Sequence, residues 1–245
     1  MAINESAIRR GYERRLFLIV AILFAFVVLI GFGPTYYFKE FFHTPALSSV
    51  LVHVHGLLMT TWVLLFAAQI WLIRSKNIKI HQKLGLAAVG LAVAIVVIGF
   101  FVAVHAAKYG GATPPPPGFP RLSFLAIPMF DLVMFVILFG AAIYYRKKPA
   151  DHKRLMIMTA INFLPPALAR IHLSIFDALG PLAFFGIPAV MAVGLLVYDT
   201  RRNGKLNKVF LAGAMLLIAS YPLRIAISGT DAWTSFAAWL TTWAA

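Results

Sequence analysis

The sequence predicts an all-α fold. It is a single polytopic transmembrane bundle of seven helices, N-terminus inside and C-terminus outside, with a short C-terminal interfacial helix. Three observations predict it. The 245 residues are 61% hydrophobic and only 12% charged, about half the charge fraction of a soluble globular domain. The apolar residues fall into blocks of about twenty, each long enough to cross a hydrocarbon core of roughly 30 Å as a helix. Basic residues gather between alternate blocks.

The seven blocks are Leu16–Gly33, Val50–Ile73, Leu84–Ala107, Leu122–Tyr145, Arg154–Ala178, Pro181–Asp199 and Lys208–Ser228. The first follows a basic stretch, Arg9 to Arg15, and so imitates a signal peptide. It is longer than a secretory apolar core and ends in Gly-Pro and Tyr36-Tyr37 rather than a cleavage site, which predicts a retained helix with its tyrosines at the interface. The last piece, Trp233–Trp243, is too short to span. Its three tryptophans suit a helix lying at the membrane surface. The whole chain, 1–245, reads as one integral membrane domain, with a basic tail over 1–15 and an outer segment over 229–245.

Charge sets the orientation. Arg9, Arg10, Arg14 and Arg15 precede the first block. Arg74, Lys76, Lys79 and Lys83 follow the second. Arg146, Lys147, Lys148, Lys153 and Arg154 follow the fourth, and Arg201, Arg202, Lys205 and Lys208 follow the sixth. These are seventeen of the 22 Lys and Arg residues. Placing them in the cytoplasm fixes N-in and C-out, in a bacterial cytoplasmic (inner) membrane. The same distribution accounts for the net charge of +14 without nucleic acid, and it makes anionic lipids at the cytoplasmic face expected partners. The chain has no cysteine, which excludes disulfides, thiolate metal sites, iron–sulfur clusters and covalently attached haem.

An internal repeat is visible. LLFAAQIWLIRSKNIKIHQKLG, from Leu64, resembles ILFGAAIYYRKKPADHKRLM, from Ile137. Each runs from a helix end through a basic loop to a His, a basic residue and Leu, with His81 and His152 at matching positions. A duplicated helix pair frames a site at its interface. Convergence on an apolar run followed by a basic loop is the alternative.

Ionisable groups inside a bilayer are costly and point to function. With the orientation fixed, His53, His55, His105, Asp131, Arg170, His172, Tyr221 and Arg224 fall in the outer half. On the fifth block Asn162, Pro166, Arg170 and Ser174 recur every four residues, which puts them on one helical face. Pro165 and Pro166 lack N–H donors and free the carbonyls of Ile161 and Asn162, predicting a kink. Asp131 is the one acid well inside the membrane. It calls for Arg170 or Arg224 as partner, for a proton, or for a metal. Two outcomes stand side by side: an Asp–Arg clamp between helices, or a pocket with a spare Arg for an anion, lined by Arg170, Arg224, Asn162 and Tyr221. His53 and His55 lie about 200° apart on a helix. Met59 and Trp62 continue the face of His55, which makes His55 the inward one. His43 lies in a loop and is expected to be exposed.

Two imidazoles at equal depth on facing helices can hold haem. His55, His105 and His172 meet the depth condition at the outer end, with His53 beside them, and His81 and His152 meet it at the inner end. The segment HGLLM at His55 and the segment IHQKLG at His81 together resemble the cytochrome b561-type diheme membrane proteins, over Val50 to Phe100. That resemblance implies b-type haem and membrane redox chemistry. The chain as a whole resembles the bacterial seven-helix proteins that carry an H-x-x-LG motif after the second helix, which implies no particular activity. A second class is a non-haem Zn, Fe or Cu site built from His55, His172 and Asp131. A third has no cofactor: a transporter, a binder of lipid, anion or a quinone-like ligand, or a subunit of a larger complex. The H-E-x-x-H, G-x-S-x-G and phosphate-loop motifs are absent from the sequence.

Overall fold

A computed structural model describes residues 2–45, 47, 49–111, 115, 119–171 and 173–243. Among these residues there are eleven α-helices, besides a π-helical turn over Gly33–Tyr37 and a 3-10 turn over Tyr145–Lys147: α1 (Ala2–Phe32), α2 (Val50–Arg74), α3 (Ile78–Tyr109), α4 (Arg121–Phe124), α5 (Ala126–Tyr144), α6 (Pro149–Asn162), α7 (Leu164–Leu168), α8 (Ser174–Leu179), α9 (Pro181–Asn203), α10 (Lys208–Ser228) and α11 (Asp231–Thr241). Six stretches are long and apolar enough to cross a membrane: Arg15–Tyr37, Val50–Arg74, Ile78–Tyr109, Arg121–Lys147, Pro181–Asn203 and Lys208–Ser228. The protein is a multi-pass integral membrane protein.

The predicted fifth helix, Arg154–Ala178, is not continuous. It divides into α6, α7 and α8, with breaks at Phe163 and after Leu168. The first break sits where Pro165 and Pro166 withhold the N–H groups that the carbonyls of Ile161 and Asn162 would have received. A similar, smaller break separates α4 from α5 at Leu125, because Pro128 offers no N–H to the carbonyl of Phe124. The third helix begins six residues earlier than predicted, at Ile78. Lys79 and Lys83 are good helix formers, so the basic connection is itself helical and His81 sits in the first turn of α3.

The six long helices form a chain of contacts beside the broken one. In the order α1, α2, α3, α5, α10 and α9 each packs on the next, and α6 and α7 fill the centre, touching α1, α5, α9 and α10. Burial follows from that placement. Almost every side chain from Leu155 to Leu168 is buried. The six outer helices each keep an exposed apolar face, for example Ile22, Phe26, Leu57, Leu64, Val93, Val136, Val190 and Met215. Such faces suit lipid, where they meet no water. Small residues allow the close approaches. Ala88, Ala92, Gly99 and Ala103 form one buried stripe on α3. A Cβ on Gly31 of α1 would run into the backbone of Ala167 on α7.

The C-terminal helix α11 does more than lie flat. Ala237 and Leu240 pack with Ala103, Val104 and Leu125 in a small second core, and the indole of Trp233 donates to the carbonyl of Leu122 at 2.9 Å. Trp239 and Trp243 stay exposed on its other side, as interfacial tryptophans do. Thr230 caps its N-terminus by accepting from the N–H of Trp233.

Candidate functional site

Two polar clusters occupy the interior, one toward each end of the bundle. The first gathers on α5, α6 and α10. Arg224 donates to Asp131 at 2.5 Å and to the Ser220 hydroxyl at 2.9 Å, and its Nε donates to the Ser220 carbonyl at 3.2 Å. Asn162 donates from its amide to the backbone carbonyl of Asp131 at 2.9 Å. Phe130, Phe185 and Tyr221 place their rings 5.2–5.8 Å from the guanidinium, within cation–π range. Arg224 is 0% exposed and Asp131 8%. The pair is therefore a sealed clamp between α5 and α10, and the predicted Asp–Arg alternative is the one the geometry takes. Two atoms of the cluster have no hydrogen-bond partner among the described residues, Asn162 Oδ1 and the Tyr221 hydroxyl. The spacing of Ser220, Arg224 and Ser228 along α10 was visible in the sequence, and all three are buried on one face.

Arg170 goes elsewhere. It donates to the carbonyl of Pro166 at 2.6 Å and lies over the ring of Phe32 on α1, 4.5 Å from its centroid. The break at Phe163 separates it from Asn162, so the predicted continuous face splits: Asn162 meets α5 and Arg170 meets α1. His55 has a buried Nδ1 with no hydrogen-bond partner among the described residues, beside Gly99 on α3, where a Cβ would lie 3.6 Å from its ring. His53 is exposed, and Tyr36 donates to its carbonyl. His105 packs against Tyr109, with ring centroids 4.9 Å apart. His172 lies outside the described residues. His43 is exposed, as expected of a loop. Among the described residues no three His, Asp or Glu side chains gather as a metal site.

The second cluster lies at the opposite end, where α3 and α6 begin. His81 and His152, the matching positions of the repeat, meet there with ring centroids 6.4 Å apart and ring planes at 75°. His152 Nδ1 lies 2.8 Å from the carbonyl oxygen of Ala142, at the end of α5. A carbonyl only accepts, so Nδ1 carries the proton. In the neutral ring Nε2 then keeps a free lone pair. His81 Nδ1 is buried without a hydrogen-bond partner among the described residues, and so is Gln69 Oε1 on α2. Gly85, one turn along α3 from His81, has Gln69 as its neighbour, at 3.8 Å from where a Cβ would sit.

Next to this pair, Arg154 holds Asp199 with two hydrogen bonds, at 2.9 and 2.6 Å, and donates to the carbonyl of Ala150. Asn207 donates to Asp151 at 2.6 Å and caps α10 by accepting from Phe210 N–H. Sequence reading treated Arg154 as one more rim cation. The signal that could have singled it out was Asp199, an acid among basic residues at the end of the sixth block. The chain matches no family model, no curated protein and no solved structure.

Proposed function

We propose that the chain is a seven-crossing haem protein of the bacterial cytoplasmic membrane, N-terminus inside, in which His81 and His152 would hold a b-type haem. One observation carries this reading: the neighbouring imidazoles, 6.4 Å between centroids. Imidazole nitrogens bind metals at about 2 Å, so two rings this close could hold one metal centre between them. Haem iron asks the protein for only two ligands, because the porphyrin supplies the rest. A bare zinc ion asks for three or four. A pair of histidines with no third ligand beside them among the described residues therefore suits haem better than a bare ion.

The chain's own groups do the positioning. The Ala142 carbonyl fixes the proton on Nδ1 of His152 and turns Nε2 toward the site, the arrangement that orients a ligating imidazole. Both rings stand on helix starts packed around α5, so neither needs a loop to hold it. Bound there, a haem would supply one-electron redox chemistry. The seventh crossing is α6 with α7. From Pro149 to Leu168 they run 20 residues, about 30 Å of helix. Their central position lets them be less apolar than a lipid-facing span. With this crossing the four basic connections all fall on one side.

The test is the visible spectrum of the purified protein. A Soret band that shifts on reduction is expected, and it should be lost in His81→Ala and His152→Ala but kept in His43→Ala. No Soret band in either redox state, in protein produced with haem available, would sink the proposal. The sealed Asp131–Arg224 clamp supports a second reading, a cofactor-free bundle serving as a lipid-binding protein or a subunit of a larger complex. In that case the spectrum is blank and both His variants behave as wild type.

A further inference from the structure

We propose that the lipid-facing side of α9 holds one anionic phospholipid, with its phosphate at Arg201 and Arg202 and an acyl chain along Gly194 and Val190. Gly194, Val197, Tyr198, Arg201 and Arg202 line a cavity of about 390 Å³. These positions recur at i, i+3, i+4, i+7 and i+8, so one face of a single helix makes the whole site. The face changes character along its length. Val190, Val193 and Val197 are exposed and apolar, Tyr198 follows, and the two guanidiniums close the end. A Cβ on Gly194 would meet no heavy atom within 4 Å, and the same is true of Gly186. The glycines thus leave a shallow track on the helix.

Charge complementarity names the occupant. The acid within this stretch, Asp199, lies beside this face, three residues before Arg202. It is held by two donors of Arg154 and by Asn203, so its charge is already answered. Guanidinium groups match phosphate oxygens in geometry as well as charge. An apolar stretch, then an amphipathic ring, then cations follows the profile of a phospholipid from chain to glycerol to headgroup. A free phosphate would use only the last of these and leave the track bare. The inference needs only that α9 spans the membrane, and it stands apart from the histidine pair.

The test is native mass spectrometry of protein extracted in mild detergent from membranes containing phosphatidylglycerol and phosphatidylcholine. One retained phosphatidylglycerol is expected. The double variant R201Q/R202Q should lose it, with affinity falling about thirtyfold for two surface charges. The control R146Q/K147Q removes the same charge from another connection and should retain it. Equal loss in both variants would mean bulk attraction and overturn the site. So would undiminished retention in R201Q/R202Q, equal binding of phosphatidylcholine, or displacement by excess inorganic phosphate.

Discussion

Arg224 meets Asp131 deep between α10 and α5, whereas Arg154 meets Asp199 near the charged ends of α6 and α9. The deep pair rests on one charged contact, two bonds to Ser220 and three aromatic rings. The shallow pair uses a bidentate fork, with side chains 6% and 13% exposed. Depth explains the contrast. In the sealed position every donor not met by the carboxylate must be met by another protein group or ring, because no water arrives. Near the rim, water and lipid phosphates can serve the remaining donors. Both pairs answer their own charges. The imidazole pair does not, and that is the physical reason for placing ligand chemistry at His81 and His152.

The comparison breaks most sharply if one member of the deep pair is removed. Arg224→Ala should destabilise the protein by about 3–5 kcal/mol, because it strands a buried carboxylate. Replacing both partners with apolar residues, as in Asp131→Leu with Arg224→Met, should recover most of that loss. Thermal unfolding in detergent reads both. A tolerated Arg224→Ala would mean that the cluster is open to water. Arg154→Ala should cost less, about 1.5–3 kcal/mol, the range for hydrogen bonds to charged groups. If the two single variants cost the same, depth is not what distinguishes the pairs.

Much of this was legible in the chain. The six long spans follow from apolar runs, and α10 begins and ends at Lys208 and Ser228, the bounds of the apolar block. The clamp was half legible: Asp131 announced a partner, but Arg170 and Arg224 were equal candidates until the break at Phe163 sent Arg170 toward Phe32. The prolines signalled a kink, but not that α6 would sit at the centre. Hydropathy reads lipid exposure and so underrates a helix surrounded by protein. The meeting of His81 with His152 was written in the repeat as matching positions. It became a contact only because α3 starts at Ile78 and carries His81 on a helical turn.

Glycines give a smaller test of the same packing. Gly31→Ala should destabilise by about 1–3 kcal/mol, since its methyl meets the backbone of Ala167, which cannot swing aside as a side chain can. Gly194→Ala faces open space on α9 and should stabilise by about 0.5–1 kcal/mol through helix propensity. The opposite signs, read in one unfolding series, would confirm that α7 is wedged against α1 while this face of α9 is bare. Equal effects would contradict the central placement of α6 and α7.

The smallest expected effect belongs to Asn162. Its amide donates to the Asp131 carbonyl, a bond of about 0.6 kcal/mol inside a membrane bundle. Its Oδ1 is buried without a hydrogen-bond partner among the described residues. Asn162→Leu removes a donor and an unsatisfied acceptor together, so the two changes oppose and the variant should lie within about 0.6 kcal/mol of wild type. The Asp131 carbonyl keeps its own helical partner in either case. A loss of several kcal/mol would show that Oδ1 and the neighbouring Tyr221 hydroxyl are satisfied by water or another small polar molecule. The deep cluster would then be a wet site rather than a dry clamp, and the contrast with the imidazole pair would narrow. Repeating the measurement in Tyr221→Phe separates the two. If the orphaned atoms share one bridging molecule, the losses are not additive.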